Sequence, residues 1–206
     1  MTVFTRPIES LFDRSPFLAI IRGLSPADSL AMAERAWAAG VLAVEIPLQN
    51  DEGEAALRLV AAEGARRGLA VGAGTIISPA LVARAAAAGA QFTVAPGTDA
   101  AVIDASIGAD LPHLPGVATP SDIQLGWARG LRWFKAFPAD QLGPGWFPAM
   151  RAPYPEARFI ATGGVDGGNA RSYLGAGVDA VSLGSSLTRP DTLEAVAAIL
   201  AERRGA

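Results

Sequence analysis

The chain has 206 residues, half of them hydrophobic, with a net charge of −3, one histidine and no cysteine. This excludes a basic face for nucleic acid, a disulfide framework, thiolate chemistry and a multi-histidine metal site. No apolar run is long enough to cross a bilayer, and the opening MTVFTRPIESLFDRSPF carries acids where a signal peptide needs an unbroken apolar run. The expected setting is therefore soluble and cytoplasmic, with no nucleic-acid or membrane partner.

A short helix is expected around residues 6–14. Eight apolar, β-branched runs follow, six of them ending in Gly, Pro, Thr or Ser: FLAIIRG (17–23), LAVEIPL (42–48), LAVGAGT (69–75), QFTVAPG (91–97), LPHLPGV (111–117), LRWFKAFP (131–138), RFIATGG (158–164) and DAVSLGS (179–185). Alanine-rich amphipathic stretches alternate with them. Three begin with a hydroxyl cap followed by proline, at Ser25-Pro26, Ser78-Pro79 and Thr119-Pro120, and stop at Gly40, Gly89 and Gly130. GGNARSYLGAG and RPDTLEAVAAILAERRG supply later helices. Continuous apolar strands joined by helical crossovers indicate a parallel sheet buried on both faces. Eight such units predict a closed (β/α)8 TIM barrel, formed as one domain over residues 1–206. The competing reading is an open doubly wound sheet, which lacks support because no Gly-rich fingerprint follows the first strand.

In a barrel of this kind the chemistry lies at the C-terminal ends of the strands. There the chain places Arg22, Glu45, Gln49, Thr75, Pro96, Thr119, Lys135, the Gly163-Gly164 pair and Gly184-Ser185-Ser186. Lys135 is the sole lysine beside sixteen arginines. It can be read as a side chain that snorkels or pairs with a carboxylate. It can also be read as a position that needs a primary amine, because arginine stays protonated and cannot act as an amine nucleophile. Aromatic neighbours such as Phe137 would exclude water and favour the free amine, which can form a Schiff base with a ketone. Glu45 is either a salt-bridge partner or a general acid–base that moves the protons of that chemistry. Glycine-rich turns after the seventh and eighth runs suit a phosphate, since backbone N–H groups can approach the anion there. His113 and the tryptophans at 37, 127, 133 and 146 read as structural.

In this order, EIPL, GAGT, FTVAPG, PGVATPSD, FKAFP, TGG and LGSS resemble the class I 2-keto-3-deoxy-6-phosphosugar-acid aldolases, the KDPG and KDPGal members of one family. The resemblance runs from about residue 16 to 190. It implies a (β/α)8 barrel assembled as a homotrimer, with no metal or organic cofactor. It implies Lys135 as the Schiff-base residue, Glu45 as the acid–base, Thr75 at the pyruvyl end, and the Gly163-Gly164 and Gly184-Ser185 loops at the phosphate. KDPG members resemble EVTLRT where this chain reads EIPLQN, so an arginine is replaced by Gln49. Together with AIIRG and its Arg22, this looks like the KDPGal members. The implied partners are a phosphorylated keto sugar acid, pyruvate and D-glyceraldehyde 3-phosphate. Other readings remain: a KDPG or dual-specificity aldolase of the same family, a phosphosugar isomerase or epimerase on the same barrel, and a non-catalytic phosphosugar-binding barrel.

Overall fold

The computed structural model describes residues 7–205. Residue 6, where the expected N-terminal helix opens, lies outside them. The described part of that segment is a 3₁₀ turn, Ile8–Leu11. In chain order there follow β1 (Phe17–Ile20), α1 (Pro26–Ala38), β2 (Ala43–Pro47), α2 (Asp51–Arg67), β3 (Ala70–Gly74), α3 (Pro79–Ala87), β4 (Thr93–Val94), α4 (Ala100–Gly108), β5 (His113–Leu114) and β6 (Gly116–Val117). The second half adds α5 (Pro120–Trp127), β7 (Trp133–Ala136), α6 (Ala139–Leu142), α7 (Trp146–Arg151), β8 (Arg158–Ala161), α8 (Ala170–Gly175), β9 (Ala180–Leu183) and α9 (Pro190–Gly205).

All strand pairings are parallel. The sheet order is β5-β4-β3-β2-β1-β9-β8-β7-β6. Its two end strands, β5 and β6, are separated in the chain by Pro115 alone, so the sheet comes round on itself as a TIM barrel. The eight expected runs each form a stave, and the fifth is broken in two. Proline has no N–H to give to a ladder, which accounts for the break.

The cap signals form as the sequence predicts. Ser25 Oγ accepts the Asp28 N–H at 3.2 Å, Ser78 Oγ that of Leu81 at 3.4 Å, and Thr119 Oγ1 that of Asp122 at 3.3 Å. Asp122 Oδ2 returns the favour by accepting the Thr119 N–H at 2.9 Å, completing a capping box. Helices α2 and α4, which those signals do not pick out, start on Asn50 and Asp99, side chains that cap without a following proline.

Strand alternation sorts the core into two clusters. Phe134, Phe159 and Phe147 lie between the barrel and its helices and are fully buried. Inside the barrel, Leu18, Phe92, Val94, Leu114, Trp133 and Ile160 pack with Ile8, Leu11 and Phe12 of the N-terminal segment. Phe12 stacks on Trp133 with ring centroids 5.0 Å apart. Apolar side chains thus fill the N-terminal half of the barrel. The opposite end is left hollow, lined by the loops that follow the strands.

Candidate active site

That end holds a cavity of 530 Å³, lined among others by Arg22, Thr75, Pro96, Lys135, Phe137 and Ser182. Lys135 reaches it from β7. Within WFKA, Phe134 and Ala136 face the helices, so Trp133 and Lys135 must face inward. Lys135 is 5% exposed, and its Nζ lies 3.8 Å from Glu45 Oε1 and 5.5 Å from the centroid of the Phe137 ring.

Glu45 comes from β2 and is wholly buried. Neither of its carboxylate oxygens has a hydrogen-bond partner among the described residues, since the lysine stands just beyond reach. A buried carboxylate in that state is costly unless a ligand or water completes it. The room for it comes from the GAGT motif. A Cβ built on Gly74 would lie 2.0 Å from Glu45 Oε1 and 2.6 Å from its Cδ. The next residue, Thr75, holds a left-handed backbone (φ 59°) and lines the cavity. A non-glycine residue in that region costs roughly 1–2 kcal/mol, supplied here by its surroundings.

The other residues picked out by sequence fall as follows. Pro96 lines the cavity, and Phe137, 38% exposed, stands at its rim, so it only partly shields the amine from water. Arg22 also lines the cavity, is exposed and makes no hydrogen bond or ion pair among the described residues. Gln49 does not reach this cavity. It lines a smaller one of 80 Å³ next to it, which shares Arg22. Thr119 serves as the α5 cap. His113 points away from the cavity, into a buried polar trio beneath α4. Its Nδ1 lies 2.8 Å from Thr93 Oγ1 and 3.4 Å from Ser106 Oγ. Burial pushes its imidazole down to about 4.

The two glycine-bearing loops share one polarity. From Thr162 to Asp166 every carbonyl oxygen is taken by protein: by Ala139 N at 2.7 Å, Asp140 N at 3.2 Å, Asn169 Nδ2 at 2.8 Å, Ser186 Oγ at 3.1 Å and Ala170 N at 3.0 Å, in that order. The N–H groups of Gly163, Gly164 and Val165 have no acceptor among the described residues. After β9 the pattern repeats. The carbonyls of Gly184, Ser185 and Ser186 accept from Leu187 N, Thr188 Oγ1 and Arg189 N, each at 3.0 Å, while their own N–H groups have no acceptor among the described residues. Gly163 and Gly164 hold φ of 96° and 70°, and a Cβ on Gly164 would lie 2.5 Å from Asp140 Cβ, so neither position tolerates a side chain easily. Both loops line the one cavity, and free amides with their carbonyls turned away are a geometry that suits an anion. The Ser186 hydroxyl is spent on the Val165 carbonyl, whereas Ser185 is exposed.

Sequence reasoning missed several side chains in this cavity, two of them hydroxyls. Thr162 Oγ1 donates to Ser182 Oγ at 2.9 Å, and the two are 4% and 2% exposed. Alternation from Ile160 and Ala180, which pack inside the barrel, turns both into the mouth. Asp166 and Arg189 also line the cavity, 3.5 Å apart.

The family model for KDPG and KHG aldolase matches residues 8–200. A 2-dehydro-3-deoxy-phosphogluconate aldolase of Pseudomonas aeruginosa is 39% identical over 171 residues, 82% of this chain and 77% of that one. A probable 2-dehydro-3-deoxy-6-phosphogalactonate aldolase of Rhizobium meliloti is 35% identical over 176 residues, 85% of this chain and 82% of that one. Among solved structures, a KDPG aldolase from Legionella pneumophila, with pyruvate captured at low pH as a covalent carbinolamine intermediate, superposes with a TM-score of 0.80 at 29% identity, covering 93% of this chain and 94% of that one.

Proposed function

The chain belongs to the KDPG and KHG aldolase family, and we propose that within it the protein is a Schiff-base aldolase that cleaves 2-dehydro-3-deoxy-6-phospho-D-galactonate to pyruvate and D-glyceraldehyde 3-phosphate. One observation carries the reading. A lone buried lysine stands 3.8 Å from a fully buried carboxylate that has no other partner among the described residues, at the mouth of a barrel.

In the proposed reaction Lys135 Nζ attacks the C2 ketone, and Glu45, working through water, moves the protons as the carbinolamine loses water to give the iminium. Glu45 then takes the proton of the C4 hydroxyl. The C3–C4 bond breaks, the aldehyde leaves, and the bonding electrons pass into the iminium to form an enamine. The proton returned to C3 regenerates the iminium, and hydrolysis frees pyruvate and the amine. Free amides in the two glycine-bearing loops hold the phosphate, so binding energy at the remote end orients the reacting bond. Arg22 grips the substrate carboxylate. Its free guanidinium in the cavity wall supports that role, as does the capacity of arginine for bidentate carboxylate recognition.

The galactonate epimer is favoured by Arg22 combined with Gln49. The gluconate epimer is the second reading, favoured by the name and 39% identity of the Pseudomonas aeruginosa relative. Two measurements test the proposal. Borohydride reduction with pyruvate, followed by mass spectrometry, should mark Lys135, and Lys135→Arg should abolish the mark; an unmarked wild type sinks the imine. Cleavage of the two C4 epimers should favour the galactonate form. Faster cleavage of the gluconate form reassigns the substrate but leaves the chemistry intact.

A further inference from the structure

The amides of the loop after β8 are aimed from behind. In a trans peptide the carbonyl and the following N–H point in opposite directions. Fixing the Thr162 oxygen therefore aims the Gly163 amide, fixing the Gly163 oxygen aims the Gly164 amide, and fixing the Gly164 oxygen aims the Val165 amide. Backbone groups provide the first two anchors, Ala139 N and Asp140 N. The third is a side chain, Asn169 Nδ2, which donates to the Gly164 oxygen at 2.8 Å.

Asn169 does a second thing. Its Oδ1 accepts the Asp166 N–H at 2.9 Å. One amide side chain thus holds the carbonyl before Val165 and the N–H after it, which leaves the Val165 amide as the free donor between them. Asp166 supports this reciprocally. Its Oδ1 accepts the N–H groups of Gly168 at 2.8 Å and Asn169 at 3.2 Å, and its Oδ2 lies 3.5 Å from Arg189 Nη1. Without the Asn169 donor nothing pins the Gly164 oxygen, and the peptide between Gly164 and Val165 can turn through ψ of Gly164, where a residue without a Cβ tolerates values that others do not. A turned peptide would present a carbonyl oxygen to the ligand where an amide stood.

We propose that Asn169 is a positioning residue for phosphate recognition: it keeps the Gly164 carbonyl out of the cavity and the Val165 amide in it, and so sets the preference for phosphorylated over unphosphorylated substrates. The proposal rests on the aldolase reading above and on a phosphate bound between the β8 and β9 loops. Asn169 itself does not touch the substrate.

The test runs the reaction in the condensation direction, pyruvate plus aldehyde, comparing D-glyceraldehyde 3-phosphate with D-glyceraldehyde. Asn169→Ala removes both contacts. Asn169→Asp has the same size and keeps the acceptor for Asp166, but puts an oxygen against the Gly164 carbonyl. Both variants should lose at least tenfold in kcat/KM for the phosphorylated aldehyde, mostly through KM, with less than a twofold change for the unphosphorylated one. Borohydride trapping of pyruvate should mark Lys135 as in the wild type. Unchanged selectivity in Asn169→Asp, or an equal loss on both aldehydes, overturns the proposal. If Asn169→Ala does not fold, Asn169→Asp decides. Failure to trap pyruvate in the wild type would instead strike the aldolase reading, so the two failures are separable.

Discussion

Gly74 and Glu45 occupy one another's space: a Cβ at position 74 would sit 2.0 Å from Glu45 Oε1. The carboxylate is where it is because its neighbour on β3 has no side chain. Gly74→Ala should therefore displace Glu45 from Lys135 while leaving the barrel folded, since the φ of Gly74 is not in the left-handed region. General acid–base catalysis contributes about 10²–10⁴-fold, so we expect kcat to fall by roughly 100-fold, with pyruvate still trapped on Lys135. Steady-state kinetics with a far-ultraviolet circular dichroism control checks this. Full activity in Gly74→Ala would mean that the carboxylate position does not matter to the reaction.

Arg22 lines the cavity and has no protein partner among the described residues. Hydrogen bonds to charged groups contribute about 1.5–3 kcal/mol each. Arg22→Met should thus raise KM for the phosphorylated keto acid by roughly 10–100-fold. The effect should be the same on substrate with and without the phosphate, because the group lost is the carboxylate grip. An effect confined to the phosphorylated form would move Arg22 to the other end of the ligand. Topology makes this a live comparison, because β1 lies between β9, which carries a glycine-bearing loop, and β2, which carries Glu45.

The barrel is legible in the sequence because each stave announces itself by composition and three helices by their caps. The Lys135–Glu45 pair is legible for a related reason: charge inside a buried strand is rare enough to notice. Asn169, Asp166 and Arg189 are not legible. They lie in loops whose residues carry no periodicity, and their value comes from which backbone groups they hold, a matter of turn geometry. Thr162 and Ser182 fall between these cases. Alternation along RFIAT and AVS turns both inward, but a hydroxyl in an apolar run draws less notice than a charge. Pro115 is another such signal. It breaks one stave into β5 and β6, a consequence of its missing N–H that follows from its identity alone.

Phe12 closes the barrel from below, 8% exposed and stacked on Trp133. Truncating a buried phenylalanine to alanine costs about 3–5 kcal/mol, because transfer energy and packing are both lost. Phe12→Ala should lower the urea midpoint accordingly. Its kcat should stay within about twofold of the parent, because the inner apolar layer of Leu18, Leu114 and Ile160 separates it from the mouth. A large fall in kcat at unchanged stability would show that the plug communicates with the site.

His113 makes stability depend on acid. Burial holds its imidazole at about 4 in the folded state, against an ordinary value near 6.5. Between those two values the unfolded chain takes up a proton that the folded chain refuses. Its neutral form is thus an asset that is whole above pH 6.5 and drains away as the pH falls toward about 4, at about 1.4 kcal/mol per unit. By pH 5 the loss from this group should be about 2 kcal/mol. Replacement by leucine removes the titration, and Thr93 and Ser106, 3.1 Å apart, still pair with each other. Urea unfolding of the wild type and His113→Leu at pH 7 and pH 5 isolates the contribution. The wild type should lose about 2 kcal/mol more than the variant on acidification, whereas parallel losses would place the acid sensitivity in the carboxylates.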